Sequence, residues 1–148
     1  AGSLDLVVRK GDHAPGTSSG IAFSSLSRPA VNSASQVAFS ARLAGGEINS
    51  MNNAGIWAGS PGSLRLVASK GDQAPGVPSE AAWIQLGSGV INAAGHTAFS
   101  GFLLREGEIT GANDVGIWSE GFGSLALVAR ESEKAPGTGA KFHIINVP

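Results

Sequence analysis

Apolar and polar residues alternate in short segments along this chain, and turn-forming residues separate the segments. In residues 36–43, Val37, Phe39 and Leu43 would lie on one face of an extended strand. Residues 96–104 repeat this pattern, and no segment of useful length has the 3.6-residue period of an amphipathic helix. The pattern therefore predicts an all-β protein made of short strands.

The alternating segments recur with a fixed period. The sequence Gly-Ser-Leu at residues 2–4 returns at 62–64 and at 123–125, which gives a period of about 60 residues. We take residues 1–148 as a single repeat domain, divided into repeat 1 (2–61), repeat 2 (62–122) and a partial repeat 3 (123–148). Each full repeat is expected to supply four strands, and an extra strand is expected at each end of the chain, at residues 4–9 and 141–147.

One motif in each repeat predicts a tight hairpin. Asn32 and Asn92 each begin a four-residue turn, where an Asn side chain can accept hydrogen bonds from the turn amides. Gly95 at the fourth position tolerates the positive φ that a type I turn with a G1 bulge requires. Repeat 1 has Ser35 at this position, which predicts a slightly strained turn.

The two faces of the predicted sheets differ in size. Large side chains of residues 36–43 share one face, whereas Ala38 and Ser40 lie on the other, as do Ala98 and Ser100 in repeat 2. A sheet of this kind can pack on a copy of itself, large side against small side. We therefore expect each repeat to form a four-stranded antiparallel sheet like a β-propeller blade, and a two-sheet β-sandwich is the alternative.

Composition limits the partners that the protein can have. Its 148 residues include 10 Lys and Arg against 11 Asp and Glu, so no basic surface for nucleic acid is expected. The chain has no apolar run of about 18 residues, so membrane insertion is not expected. Charged residues make up only 14% of the chain, below the roughly 25% of typical domains, which favours an extracellular or cell-surface location.

The sequence contains no recognisable catalytic or metal-binding constellation. It has no Cys and no nucleophile motif of a hydrolase. His13, His96 and His143 occupy different positions of the repeat, so a zinc cluster is not expected. The carboxylates of Glu108 and Asp114 lie in a polar loop that lacks the ligand spacing of a calcium site. We therefore predict no enzyme activity, no cofactor and no metal.

Asn92, Gly95, Ala98 and Phe99 form the pattern N-x-x-G-x-x-A-F, and Gly-Ile-Trp follows at residues 116–118. Together with the Gly-Asp-Gln-Ala-Pro-Gly of residues 71–76, these motifs resemble those of the bacterial tandem-repeat proteins named for N-x-x-G-x-x-A-F. The resemblance covers both repeats. It implies a secreted or surface protein built from many such repeats, and it supplies no catalytic residues.

Two repeats with open ends leave apolar strand surface without neighbours. Because such units need roughly three or more neighbours to bury their faces, we expect self-association into a ring or a head-to-tail filament, or else a longer parent array. In the filament, the strand at one end would add to the open sheet edge of another copy. The residues expected to carry assembly are Leu4, Leu6, Val8, Phe142, Ile144 and Ile145.

The repeated tryptophans give an alternative function. Trp57 and Trp118 occupy equivalent positions after Gly-Ile. If their rings were exposed, each repeat would offer one platform on which a sugar could stack, and the protein would be a lectin-like module with glycans as partners. If the rings were buried, they would belong to the core of each repeat.

Overall fold

The structure is a computed structural model that describes residues 4–78 and 81–143. Within these ranges the chain forms β-strands joined by turns and loops, and no helix is found. The strands are β1 (Ala22–Leu26), β2 (Ala30–Val31), β3 (Val37–Ala44), β4 (Ala54–Gly59), β5 (Arg65–Ser69), β6 (Trp83–Leu86), β7 (Val90–Ile91), β8 (Thr97–Leu103), β9 (Val115–Ser119) and β10 (Ala126–Arg130). The prediction of an all-β protein is confirmed.

The strands form two antiparallel 5-stranded sheets. Sheet 1 has the order β1-β3-β4-β5 with β2 also paired to β3, and sheet 2 has the equivalent order β6-β8-β9-β10 with β7 paired to β8. Four strands were expected in each repeat, and the fifth strand arises because residues 22–31 are interrupted and form two strands, β1 and β2. Pro29 lies in this interruption, where its missing N–H cannot join the ladder, and Gly87 and Gly89 lie in the equivalent interruption of sheet 2.

The hairpin turns form as predicted. Asn32 Oδ1 accepts hydrogen bonds from the amides of Ala34 and Gln36 at 3.0 and 2.9 Å, and Asn92 Oδ1 does the same for the two equivalent amides of repeat 2. Gly95 has φ 83° and Ser35 has φ 60°, so the serine is held in the left-handed region that glycine occupies without strain.

Both sheets have an aromatic face with the same ring geometry. In sheet 1 the rings of Phe23 and Trp57 meet edge to face with centroids 4.9 Å apart. Trp83 and Trp118 meet in the same way in sheet 2, at 5.4 Å. A second phenylalanine, Phe39 or Phe99, lies nearly parallel to the tryptophan of each sheet. These aromatic faces are the centres of two separate core clusters.

The two sheets pack with unlike faces together. The opposite side of sheet 1, which we call its small-residue face, carries Ala38, Ile56 and Ala58, all at most 1% exposed. Ile56 and Ala68 of sheet 1 belong to the core cluster of the aromatic face of sheet 2, whereas Trp57 belongs to the cluster of sheet 1. The small-residue face of sheet 1 is therefore covered by the aromatic face of sheet 2.

The N-terminal segment does not form the strand expected at residues 4–9. Val7 and Val8 pack against the aromatic face of sheet 1, but this segment does not join the ladder of either sheet in the described part of the chain. Backbone pairing defines a strand, so a run with the correct alternation stays irregular where no neighbour pairs with it. Of the strand expected at 141–147, Lys141 forms an isolated bridge with Lys134, and residues 144–148 lie outside the described ranges.

Candidate functional site

The repeated tryptophans lie inside the protein, and each binds the loop that precedes its own sheet. Trp57 and Trp118 are both 0% exposed. The indole Nε1 of Trp57 donates to the carbonyl of Pro15, and that of Trp118 donates to the carbonyl of Pro75, each at 2.9 Å. No ring face is available to a sugar, so their burial argues against a glycan platform and agrees with a core role.

Each of these proline carbonyls lies in a corner that leads into the sheet of its tryptophan. We define corner 1 as residues 10–16, corner 2 as 70–76 and corner 3 as 131–137. Corner 2 follows β5 of sheet 1 and lies on sheet 2. There Gly76 lies so close to Leu127 that a Cβ added to the glycine would meet the leucine Cβ at 2.9 Å, and Gly16 of corner 1 approaches Leu66 equally closely, at 2.8 Å.

Polar contacts fix the register between the two sheets. Ser40 Oγ on the small-residue face donates to the carbonyl of Gly87 at 3.1 Å. Asn32 Nδ2 donates to the carbonyl of Asn92 at 2.8 Å, which links the two equivalent turns. Each of these bonds joins a residue of repeat 1 to one of repeat 2. Together they fix the position of sheet 2 on sheet 1.

One ion pair crosses the same contact. Arg65 of β5 binds the carboxylate of Glu120 at 2.6 Å, and Glu120 also accepts hydrogen bonds from the amide and the hydroxyl of Thr97. Burial raises the pKa of Glu120, but the bonds from Arg65 and Thr97 outweigh this effect and hold the pKa below its usual range. The Glu120 carboxylate in turn raises the pKa of the Arg65 guanidinium.

The small-residue face of sheet 2 repeats the residues of the covered face and lies at the surface. Ala98, Ile117 and Ser119 are half-buried, and Val128 of β10 is 51% exposed. Ser100 and Asn92 are the equivalents of the two polar residues that bind across the sheet contact. Among the described residues, no further sheet covers this face.

Corner 3 is formed, and no repeat lies on it in the described part of the chain. The amide of Ser132 donates to the carbonyl of Phe142, and the amide of Phe142 donates to the carbonyl of Glu133, as in the two earlier corners. Phe142 thus takes the position of Phe23 and Trp83. A Cβ added to Gly137 would meet nothing within 4 Å, in contrast to those of Gly16 and Gly76.

Four of the six residues expected to carry assembly lie in the described ranges, and they differ in exposure. Leu4 and Leu6 are 101% and 67% exposed, whereas Val8 is half-buried against the aromatic face of sheet 1. Phe142 is half-buried and is bonded to corner 3 at the other end of the chain. Ile144 and Ile145 lie outside the described residues.

The polar loops bring no metal-binding group together. Asp114 is only 3% exposed and pairs with Arg105 at 2.6 Å instead of facing the carboxylates of its loop. In residues 4–78 and 81–143, no group of three or more His, Cys, Asp or Glu side chains could hold a metal ion. No helix long and apolar enough to cross a membrane was found in the same ranges.

Sequence reasoning missed the carbonyls of Pro15 and Pro75, which are the partners of the two tryptophans. A signal for them was present, because Ala-Pro-Gly recurs at residues 14–16, 74–76 and 135–137. Proline lacks an N–H and glycine permits the close approach of a leucine, so this tripeptide leaves a carbonyl free to accept a bond from the sheet that follows it.

The model of a family described as a family of unknown function, DUF7453, matches residues 1–147 of the chain. No curated protein and no solved structure gave a match.

Proposed function

The chain belongs to DUF7453, a family of unknown function, and we propose that it acts as an extracellular bacterial structural or interaction protein. In this proposal its β repeats stack like β-propeller blades and associate with further copies of the chain. The product is a ring or a head-to-tail filament. No reaction and no cofactor belong to this role.

One observation carries the proposal. The face that sheet 1 buries under sheet 2 occurs again on sheet 2, where its equivalent residues remain at the surface. Burial of apolar area contributes about 25 cal/mol per Å², so covering this second face would be favourable. A repeat that uses the same contact twice gives head-to-tail association, which closes into a ring or continues as a filament.

The packing supports stacked blades more than a sandwich. In a sandwich the inner faces of both sheets share one core. Here each aromatic face has its own cluster, and the small-residue face of sheet 1 lies against the aromatic face of sheet 2. The resemblance to secreted tandem-repeat proteins and the low content of charged residues, 14%, support the extracellular location.

Sedimentation velocity on the purified chain, followed by negative-stain microscopy, tests the proposal. We expect species larger than the 14.8 kDa monomer at micromolar concentration, with rings or filaments on the grid. A single 14.8 kDa species throughout the micromolar range would contradict the proposal.

A further inference from the structure

We infer that the small-residue face of sheet 2 binds the aromatic face of sheet 1 in a second copy of this chain, and that corner 3 replaces corner 1 of that copy. This inference rests on the proposed function, since it names the surfaces through which the copies associate. The partner is therefore the same protein, and the contact is a repetition of the one between sheets 1 and 2.

The apolar part of the surface matches the contact already present in the molecule. Ile56 is 0% exposed under sheet 2, and its equivalent Ile117 is half-buried, with no sheet above it among the residues that the structure describes. Val67 packs against the core cluster of the next sheet, whereas its equivalent Val128 is 51% exposed. Both of these apolar residues that sheet 1 uses to bind sheet 2 thus have an identical equivalent on sheet 2.

The polar part of the surface matches as well. In the contact between sheets, Ser40 donates to the carbonyl of Gly87. The equivalent bond between copies would run from Ser100 of one copy to the carbonyl of Ser27 in the other. Ser27 is exposed, and its amide binds β3 as that of Gly87 binds β8, so its carbonyl has the required position.

Corner 3 offers the backbone groups that would contact the aromatic face of the second copy. Trp57 binds the carbonyl of Pro15 in corner 1, and Trp118 binds that of Pro75 in corner 2. The next member of this series is Pro136 in corner 3, and the adjacent Gly137 has the open space that a leucine of a further repeat would fill. The tryptophan that would bind Pro136 is Trp57 of the second copy.

In the second copy the N-terminal residues and corner 1 cover the aromatic face of sheet 1 and must leave it, and Phe23 of that copy then replaces Phe142 on corner 3. Val7 and Val8 of these residues pack against the aromatic face, but residues 4–9 form no strand, whereas β10 pairs with β9 along sheet 2. Leu4 and Leu6 add little to this packing, since both are exposed. A segment already fixed in a sheet loses less conformational entropy on docking than an irregular one, so β10 with corner 3 is favoured.

Cysteine cross-linking between copies tests this geometry, because the natural chain contains no Cys. A mixture of a Ser100→Cys variant and a Ser27→Cys variant is oxidised, and the disulfide-linked heterodimer is measured by mass spectrometry. The matched control replaces the second variant with Ser18→Cys, an exposed serine outside the proposed contact. Because docking aligns the thiols, we expect at least about tenfold more heterodimer than in the control.

Sedimentation of the same variants under reducing conditions separates the two hypotheses. If the chains associate but heterodimer does not exceed the control, the surface assigned here is wrong while the proposed function stands. If the chains do not associate at all, the proposed function fails. A Ser100→Ala variant, which removes the hydroxyl without adding a thiol, should associate more weakly than the natural chain, and undiminished association would count against the Ser100 contact.

Discussion

The small-residue faces of sheets 1 and 2 have nearly the same sequence and different surroundings. Ile56 of sheet 1 is fully buried, whereas Ile117 of sheet 2 is not. The difference lies in the neighbour, since sheet 1 has an aromatic face above it and sheet 2 has none among the described residues. In a repeat protein, an exposed face can therefore be interpreted from its buried equivalent in the same chain.

The largest effect is expected for the isoleucines of the two small-residue faces, and it tests directly whether these faces have different surroundings. Ile56→Ala should lower the free energy of unfolding by about 3 kcal/mol, because it leaves a cavity between the sheets. Ile117→Ala should cost only about 1 kcal/mol, since its side chain is already half-solvated. Urea unfolding measures both losses, at a protein concentration low enough to keep the chain monomeric. Equal losses would mean that the two faces have equal surroundings.

The next largest loss of stability is expected for one of the two tryptophans of sheet 2. Trp118→Phe should cost about 2 kcal/mol, because it removes the bond to Pro75 as well as buried volume. The buried Nε1 of Trp83 has no hydrogen-bond partner among the described residues, and sheet 1 has Phe23 at the same position. Trp83→Phe should therefore change stability by less than about 1 kcal/mol. Thermal unfolding distinguishes the two variants, and a larger loss for Trp83→Phe would contradict this assignment.

The ion pair between the sheets is expected to have a smaller effect. Glu120→Gln should cost about 1 kcal/mol at pH 7, a value kept low because the Arg65 side chain is 46% exposed. The pKa of Glu120 is below its usual 4.5 in the folded protein, so its contribution is present above pH 4.5 and is lost as the pH falls through the folded pKa. Unfolding measured from pH 7 to pH 3 should therefore depend less on pH in the variant.

Glu106→Gln is the matched control for this pair, because Glu106 is an exposed loop carboxylate. Its pH profile should follow that of the natural chain. If Glu120→Gln also follows the natural profile, the carboxylate does not contribute to the sheet contact. Arg65 is replaced by Asp5 in the N-terminal segment and by Ala126 in β10, so the contact inferred between copies would lack this pair.

The two hairpin turns give the smallest expected effect. Ser35→Gly should stabilise the chain by about 0.5 kcal/mol, because it relieves a non-glycine residue at φ 60°. Gly95→Ser should destabilise it by about 1 kcal/mol, since the new Cβ would also meet Gln36 Oε1 at 2.7 Å. Differential scanning calorimetry on the pair should show shifts of opposite sign. Shifts of the same sign would exclude backbone strain as the cause.

The hairpins and the strands were predictable because local sequence determines them. Asn at the first turn position and Gly at the fourth specify the turn, and alternation specifies the strand. The strand predicted at residues 4–9 does not form, because a strand needs a neighbour to pair with and the local sequence does not show whether one is present. For the same reason, the alternation could not show that Val7 and Val8 pack against a core while Leu4 and Leu6 remain exposed.

The candidate site was predictable only in part. The stacking of large faces on small faces followed from Ala38 and Ser40, but the residues expected to assemble the chain were chosen for hydrophobicity at the two ends. The structure adds Ile117 and Val128 as candidates, because their equivalents in sheet 1, Ile56 and Val67, are buried or packed against sheet 2. The proline carbonyls were missed because a backbone acceptor has no residue type of its own.

The most direct test of the central claim, that the small-residue face of sheet 2 binds another copy, is the sedimentation velocity of two charge variants. Val128→Asp places a carboxylate on this face, and Met51→Asp places one in a loop at nearly the same exposure, 52% against 51%. We expect Val128→Asp to sediment as a 14.8 kDa monomer, whereas Met51→Asp should associate like the natural chain. Undiminished association of Val128→Asp would contradict the claim.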